Sequence, residues 1–203
     1  MFGTEVVCPV TVKNNEIGWL EPIMLQWAVY IKEYCRAIEG DVPYDYTERA
    51  LVGILSAAAW VKGHASIEEY QVMKEGNVGR ADLFIMSIGN MSSVSVEAKK
   101  GRIQAWKDGC SIDESLDRAN EDAQKVDDGD VSVGAAFYLV SCDKDGYDLK
   151  IILAKLKAMT PGVHLLAWCF PKERRRFSRE ETPDDFLPGV VLAVRVAKQL
   201  KRS

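Results

Sequence analysis

"GRADLFIMSIGNMSSVSVEAKKGR", residues 79–102, places two apolar runs on either side of the dipeptide Gly89-Asn90. Gly-Asn flanked by such runs signals a two-residue hairpin loop. With that loop at the tip, Ile88 opposes Met91, Phe84 opposes Ser95, and Asp82 opposes Glu97. Side chains alternate faces along a strand, so Ala81, Leu83 and Ile85 would share one side with Val94, Val96 and Ala98, an apolar surface for a helix to cover. The other side would carry Asp82, Glu97 and Lys99. Directly opposed side chains have Cβ atoms about 5 Å apart, and two carboxylates that close repel by about 3 kcal/mol at an effective dielectric near 20. One neighbouring ammonium leaves such a pair net negative. A hard divalent cation fits better, because Mg²⁺ takes oxygen ligands from one or two carboxylates and keeps waters that a phosphate can replace.

Upstream of the ribbon, apolar residues at three-and-four spacing predict an amphipathic helix over Gly18 to Glu39 and a second over Thr47 to Lys62. The segment from Glu69 to Lys74 predicts a strand preceding those at Ala81 to Ile88 and Ser92 to Lys100. Downstream, a helix is expected from Ile112 to Val126, capped by Ser111, then a strand buried on both faces at Ala135 to Cys142. A helix near Tyr147 to Met159 and a strand at His164 to Phe170 follow; Val190 to Leu200 reads as either helix or strand. This order predicts an α/β fold: a mixed central sheet of four or more strands flanked by helices, with an extra N-terminal helix. Neither of the glycine-rich phosphate-binding patterns, GxGxxG or GxxxxGK[ST], is present.

Bulk composition sets the outer bounds. At 203 residues the chain suits a single domain, 1–203, with a core over about 45–142, a helical extension over 1–44 and αβ elements over 143–203. Hydrophobic residues make up 47% and charged residues 28%, as in water-soluble globular proteins. No run approaches the roughly 20 apolar residues a bilayer span needs, so a cytoplasmic protein with no membrane partner is expected. The five cysteines, Cys8, Cys35, Cys110, Cys142 and Cys169, are scattered without a CxxC pair, which argues against a disulfide framework or zinc cage. A formal charge of −4 rules out a uniformly basic nucleic-acid binder, but basic stretches at Lys99 to Lys107 and Lys172 to Arg179 flank an acidic span from Asp108 to Asp130.

The order of a glutamate-bearing helix, a strand, an Asp-bearing strand and a hairpinned strand ending in Glu-x-Lys resembles the PD-(D/E)XK nuclease superfamily. That group includes restriction endonucleases, Holliday-junction resolvases and phage exonucleases. The resemblance covers about residues 45 to 142, and Ala81 stands where the motif's proline would be. It implies a restriction-endonuclease-like core and a Mg²⁺-dependent nuclease, Mn²⁺ substituting, that hydrolyses DNA phosphodiesters in bacterial or phage DNA processing or defence. RNA is an alternative substrate, and a homodimer an alternative state. Carried over by position, Asp82, Glu97 and the Ala98 carbonyl would hold the metal, and Lys99 would orient or activate the attacking water. Glu48 would complete the catalytic set by serving a second metal or a metal-bound water. Lys100, Arg102, Lys107 and Gln124 would face nucleic acid.

Plainer roles compete for the same residues. Asp45-x-x-Glu48 fits a capping box, Asp82 fits a strand-end charge beside Arg80, and Glu97 with Lys99 fits a charged strand edge. Glu39 and Glu75 are alternative acids. His64 and His164 have no partner pattern, and Trp106 is either a core residue or a stacking surface for a base. A catalytically silent nuclease-fold protein that binds nucleic acid or a protein partner is the rival to the enzyme.

Overall fold

The computed structural model describes residues 6–7, 11–12, 14, 16–106, 108–143, 148–158, 162–172, 178–179 and 182–199. In chain order these form strands β1 (Val6–Val7) and β2 (Thr11–Val12), helices α1 (Glu21–Ala37) and α2 (Glu48–Val61), and strands β3 (His64–Lys74), β4 (Asn77–Ser87), β5 (Ser93–Trp106) and β6 (Gly109–Ile112). Then come α3 (Ser115–Gln124), β7 (Val131–Asp143), α4 (Leu149–Ala158), β8 (Leu165–Phe170), β9 (Ser178–Arg179) and β10 (Thr182–Gln199). The main sheet runs β1-β8-β10-β7-β5-β4-β3, and the β5–β7 pair is parallel while its other neighbours are antiparallel. The protein is therefore α/β with a mixed open sheet.

Helix α1 forms where Pro22 suits the first turn and Ile23, Met24, Trp27, Ala28, Ile31 and Cys35 fall on one face, all buried. It stops at Ile38, which is extended, followed by Gly40 at φ +73°. In α2 the buried stripe is Leu51, Val52, Leu55, Ala58 and Ala59. Both helices cover one face of the sheet, packing on Leu83, Ile85, Val94, Val96, Ala98, Val133, Ala135 and Phe137. Leu116 of α3 and Ile152 and Leu156 of α4 cover the other, over Ile103, Ala136, Tyr138 and Val140. Burying each large apolar side chain stabilises by about 1.5–3 kcal/mol.

Several expectations need correction. The β4–β5 hairpin keeps the expected register, pairing Leu83 with Val96 and Phe84 with Ser95, but its strands end at Ser87 and Ser93. Ile88 and Met91 are exposed loop residues, and Met91, not the glycine, takes the left-handed conformation at φ +57°. Strand β5 continues past Lys100 to Trp106, and Gly109–Ile112 forms β6 against it instead of opening a helix. Ser111 is thus not a cap; Asp113 Oδ1 accepts the Ser115 N–H at 2.9 Å at the start of α3. The ambiguous last element is a strand, because Val190 to Val194 are buried between β7 and β8 and not on one helical stripe.

Candidate functional site

Two ladders break at the same place. The β3–β4 pairing runs from His64↔Ser87 to Glu68↔Leu83 and resumes at Tyr70↔Ala81, skipping Glu69 and Asp82, with Glu69 at φ +48°. The β4–β5 pairing ends at Leu83↔Val96. The break also reverses the strand's faces: Leu83 and Ile85 pack under α1 and α2, whereas Ala81 packs with Val72 and Val126. Ala81 therefore leaves the apolar face expected for it. Asp82 and Glu97 are likewise not ladder partners.

Where β4 peels away, the edge of β5 is left with unpaired N–H groups, and acids take them. Ala98 N–H donates to Asp82 Oδ2 at 2.7 Å, and Lys100 N–H donates to Glu48 Oε2 at 2.7 Å. In a strand a residue's N–H and C=O project to the same edge, so the Ala98 carbonyl leaves β5 on Asp82's side. Glu48 spends its carboxylate on β5 and not on the capping box; the N-cap position is Thr47, without a side-chain bond. Asp82 is not paired with Arg80, whose Nη1 lies 3.6 Å from Glu69 Oε2. Glu48, Arg49, Val52, Glu68, Glu69 and Asp82 line an open cleft of about 280 Å³, and Arg49 is ion-paired to Glu69 at its side.

Glu97 and Lys99 leave β5 on the α3 face. Glu97 is 4% exposed, and its Oε1 lies 2.6 Å from Lys74 Nζ, an ion-pair contact without the directed geometry of a hydrogen bond. Lys99 Nζ lies 2.9 Å from Asp122 Oδ2 of α3. Glu48, Glu97 and Lys99 each sense the charge of Asp82 across the gap. Burial raises the Glu48 carboxyl above the usual carboxylate range, with repulsion from Asp82 adding to it. Burial likewise raises Glu97, opposed by Lys74 and reinforced by Asp82. For Lys99, burial pulls the ammonium down, but Asp122, Glu48 and Asp82 outweigh it and hold it above its ordinary value.

The proposed nucleic-acid contacts divide. Lys100 points its ammonium at the carbonyls of Asp45 (2.9 Å) and Tyr46, fixing the loop before α2. Arg102 and Gln124 are exposed, and Lys107 lies outside the described residues, as does most of the Lys172–Arg179 stretch. Trp106 is exposed, its ring lying over Gly109, where a Cβ would meet Nε1 at 2.9 Å. Glu39, exposed beyond α1, and Glu75, in the β3–β4 turn with its N–H on Lys125 O, do not line the cleft. His164 Nδ1 accepts the Val196 N–H at 2.8 Å, a structural role, and the His64 ring packs against that of Trp19, centroids 5.3 Å apart and planes tilted by 43°.

Lys74 and Asp122 escape a reading of the sequence because each meets its partner across more than twenty residues. The signals are slight: alternation along Tyr70-Val72-Lys74 places that lysine inward, and Asp122 with Lys125 forms an i,i+3 pair whose other side reaches Lys99.

Among the described residues, no three or more His, Cys, Asp and Glu side chains are gathered as a ready metal cage. Mg²⁺ needs only one or two carboxylates, the balance being water. Asp82 and Glu48 each commit one oxygen to β5, and among the described residues their second oxygens carry no hydrogen bond. Two mutually repelling, partly unbonded carboxylates at an open cleft fit a hard divalent cation in donor chemistry. Fold and site together define an α/β protein whose mixed sheet opens at a charged corner. No family model, curated protein or solved structure matches the chain. Among the described residues, no helix is long and apolar enough to cross a membrane.

Proposed function

We propose that this corner is the active site of a Mg²⁺-dependent nuclease of the PD-(D/E)XK kind, with DNA as substrate. The observation that carries the reading is the double break at Asp82, which leaves the Ala98 and Lys100 N–H groups of β5 to Asp82 and Glu48, on the same strand that carries Glu97 and Lys99. Isolated buried charge is costly, and a core gains more from apolar residues of similar volume. Asp82 and Glu48, with the Ala98 carbonyl on the same edge, would hold the cation, and Glu97 would join them from the other side of β5. A bound Mg²⁺ would neutralise phosphodiester charge and acidify water. The residues of the chain do the positioning: Lys99 brings a fixed positive charge to the phosphate, and Asp122 orients that ammonium. The cleft is acidic, so affinity for the nucleic-acid backbone must come from basic groups beyond it, such as the exposed Arg102.

Incubation with supercoiled plasmid, linear duplex and single strands in Mg²⁺ or Mn²⁺ tests the reading. Cleavage by the parent, lost in Asp82→Ala and Lys99→Ala, supports it; intact substrate in every arm ends it. One observation favours a catalytically silent relative that binds nucleic acid or a protein partner: both Glu97 and Lys99 already have counter-charges, Lys74 and Asp122. That reading expects duplex binding in Ca²⁺ with no cutting in any divalent ion.

A further inference from the structure

The contact between Lys74 and Glu97 has a built path. Lys74 ends β3, the strand at the sheet's edge, and reaches a carboxylate on β5, two strands away. Its stem crosses β4 over Gly79, where an added Cβ would lie 3.1 Å from Lys74 Cδ and 3.3 Å from Cγ. The base of the stem is pinned as well. Lys74 bridges to Val126, Glu75 N–H donates to Lys125 O at 3.2 Å, and Asp127 N–H donates to Met73 O at 3.0 Å. The Glu97 side chain is 5% exposed, so nearly all of its charge must be met by protein groups, and the nearest is this one monovalent cation.

We propose that Lys74 occupies the cation seat at Glu97 until a divalent ion arrives, and that the ion displaces it, freeing the ammonium on the α3 face, near Lys99, to meet a phosphate. This rests on the nuclease reading and deepens it by making Lys74 a positioning residue for the metal ligand. The two cations compete for one buried carboxylate: a divalent ion on Glu97 would sit close to the Lys74 ammonium, and like charges at that range repel strongly, so the ion loosens the ammonium's hold. The metal-free protein then keeps its buried carboxylate compensated. The metal-loaded protein carries a second ammonium for substrate.

Calorimetric titration with Mn²⁺ near pH 8, where free carboxylates are ionised, decides the matter for the parent, Lys74→Met and Lys74→Arg. With its competitor removed, Lys74→Met should bind Mn²⁺ on the order of tenfold more tightly than the parent, while Lys74→Arg restores the parent's affinity. Thermal unfolding supplies a second readout. In chelator Lys74→Met should melt below the parent, and Mn²⁺ should raise its midpoint by more than it raises the parent's. A purely structural Lys74 would weaken metal binding when removed, so equal or weaker affinity in a folded Lys74→Met overturns the proposal. Should that variant not fold, Gly79→Val, which crowds the stem but keeps the charge, must tighten Mn²⁺ binding; no change there overturns it too. If the parent and both variants bind no Mn²⁺, the nuclease reading falls and this proposal with it, whereas binding by the parent with an unaltered Lys74→Met removes this proposal alone.

Discussion

From Val131 to Cys142, β7 is buried at every position, paired on both sides and free of charged side chains; on β4, Asp82 interrupts two ladders and reverses which residues face the helices. In the first region the backbone is paired with neighbouring strands along almost its whole length, the β10 ladder skipping only Ser141, and side chains such as Phe137 and Tyr138 fill both faces. In the second, carboxylates do what strand carbonyls would have done, and ion pairs reach across strands to balance buried charge. The middle of the sheet is organised by exclusion of water; the corner holds polarity that exclusion of water penalises.

The largest stability loss should come from the middle. Phe137→Ala is expected to lower the unfolding free energy by about 3–5 kcal/mol in urea titrations, with cleavage per folded molecule unchanged. If that variant instead lost activity while remaining stable, the division between the two regions would fail.

The corner should answer differently. Replacing the buried pair together, Lys74→Met with Glu97→Leu, should leave the metal-free protein as stable as the parent or more stable by about 1–4 kcal/mol, and without cleavage. A steep fall in stability would mean that the pair is retained for folding.

Asp122→Asn sharpens the comparison on a contact whose side chains are 32% and 34% exposed. The loss of stability should stay below about 1 kcal/mol, and cleavage should slow as Lys99 loses its anchor. Burial pushes the Asp122 carboxyl up, but Lys125 and Lys99 outweigh it and hold it below the ordinary value. Its contribution is thus present above the ordinary Asp range and lost as pH falls through the depressed value, so parent and variant melting curves should converge in acid. A difference that persists in acid would point to packing.

Smallest is the trend at Glu48. Its folded carboxyl sits above the unfolded one, so the folded protein binds the proton more readily, and its stability declines as pH rises from the ordinary Glu range through the raised value. In chelator, Glu48→Gln should match the parent at low pH and gain on it as pH rises; thermal melts across that window check the sign.

Much of the middle was legible, because runs such as AAFYLVSC have no partner but apolar surface on both faces. The β4–β5 register was legible too: the Ser87 N–H donates to Ser92 O and closes a loop over residues 88–91, whose midpoint is that of the two-residue turn at Gly89-Asn90, so the same residues pair. The loop itself was not, since Ile88 and Met91 find no core to bury them. The reach of β5 to Trp106 was written in the alternation of buried Gly101, Ile103 and Ala105 with exposed Arg102, Gln104 and Trp106. At the site, the residue types were readable, but not the face reversal at Asp82 or the counter-charges Lys74 and Asp122, which only the closed sheet brings near.

Strand β10 lies between β7 and β8, although it follows both in the chain. A polypeptide emerging N-terminus first must hold those two strands apart, each with an open edge, until residues 182–199 arrive to close the slot. Both faces of the hydrophobic interior, and the stable platform on which the charged corner rests, are completed only by that last insertion. A ribosome stalled before it would present two sticky borders to the cell.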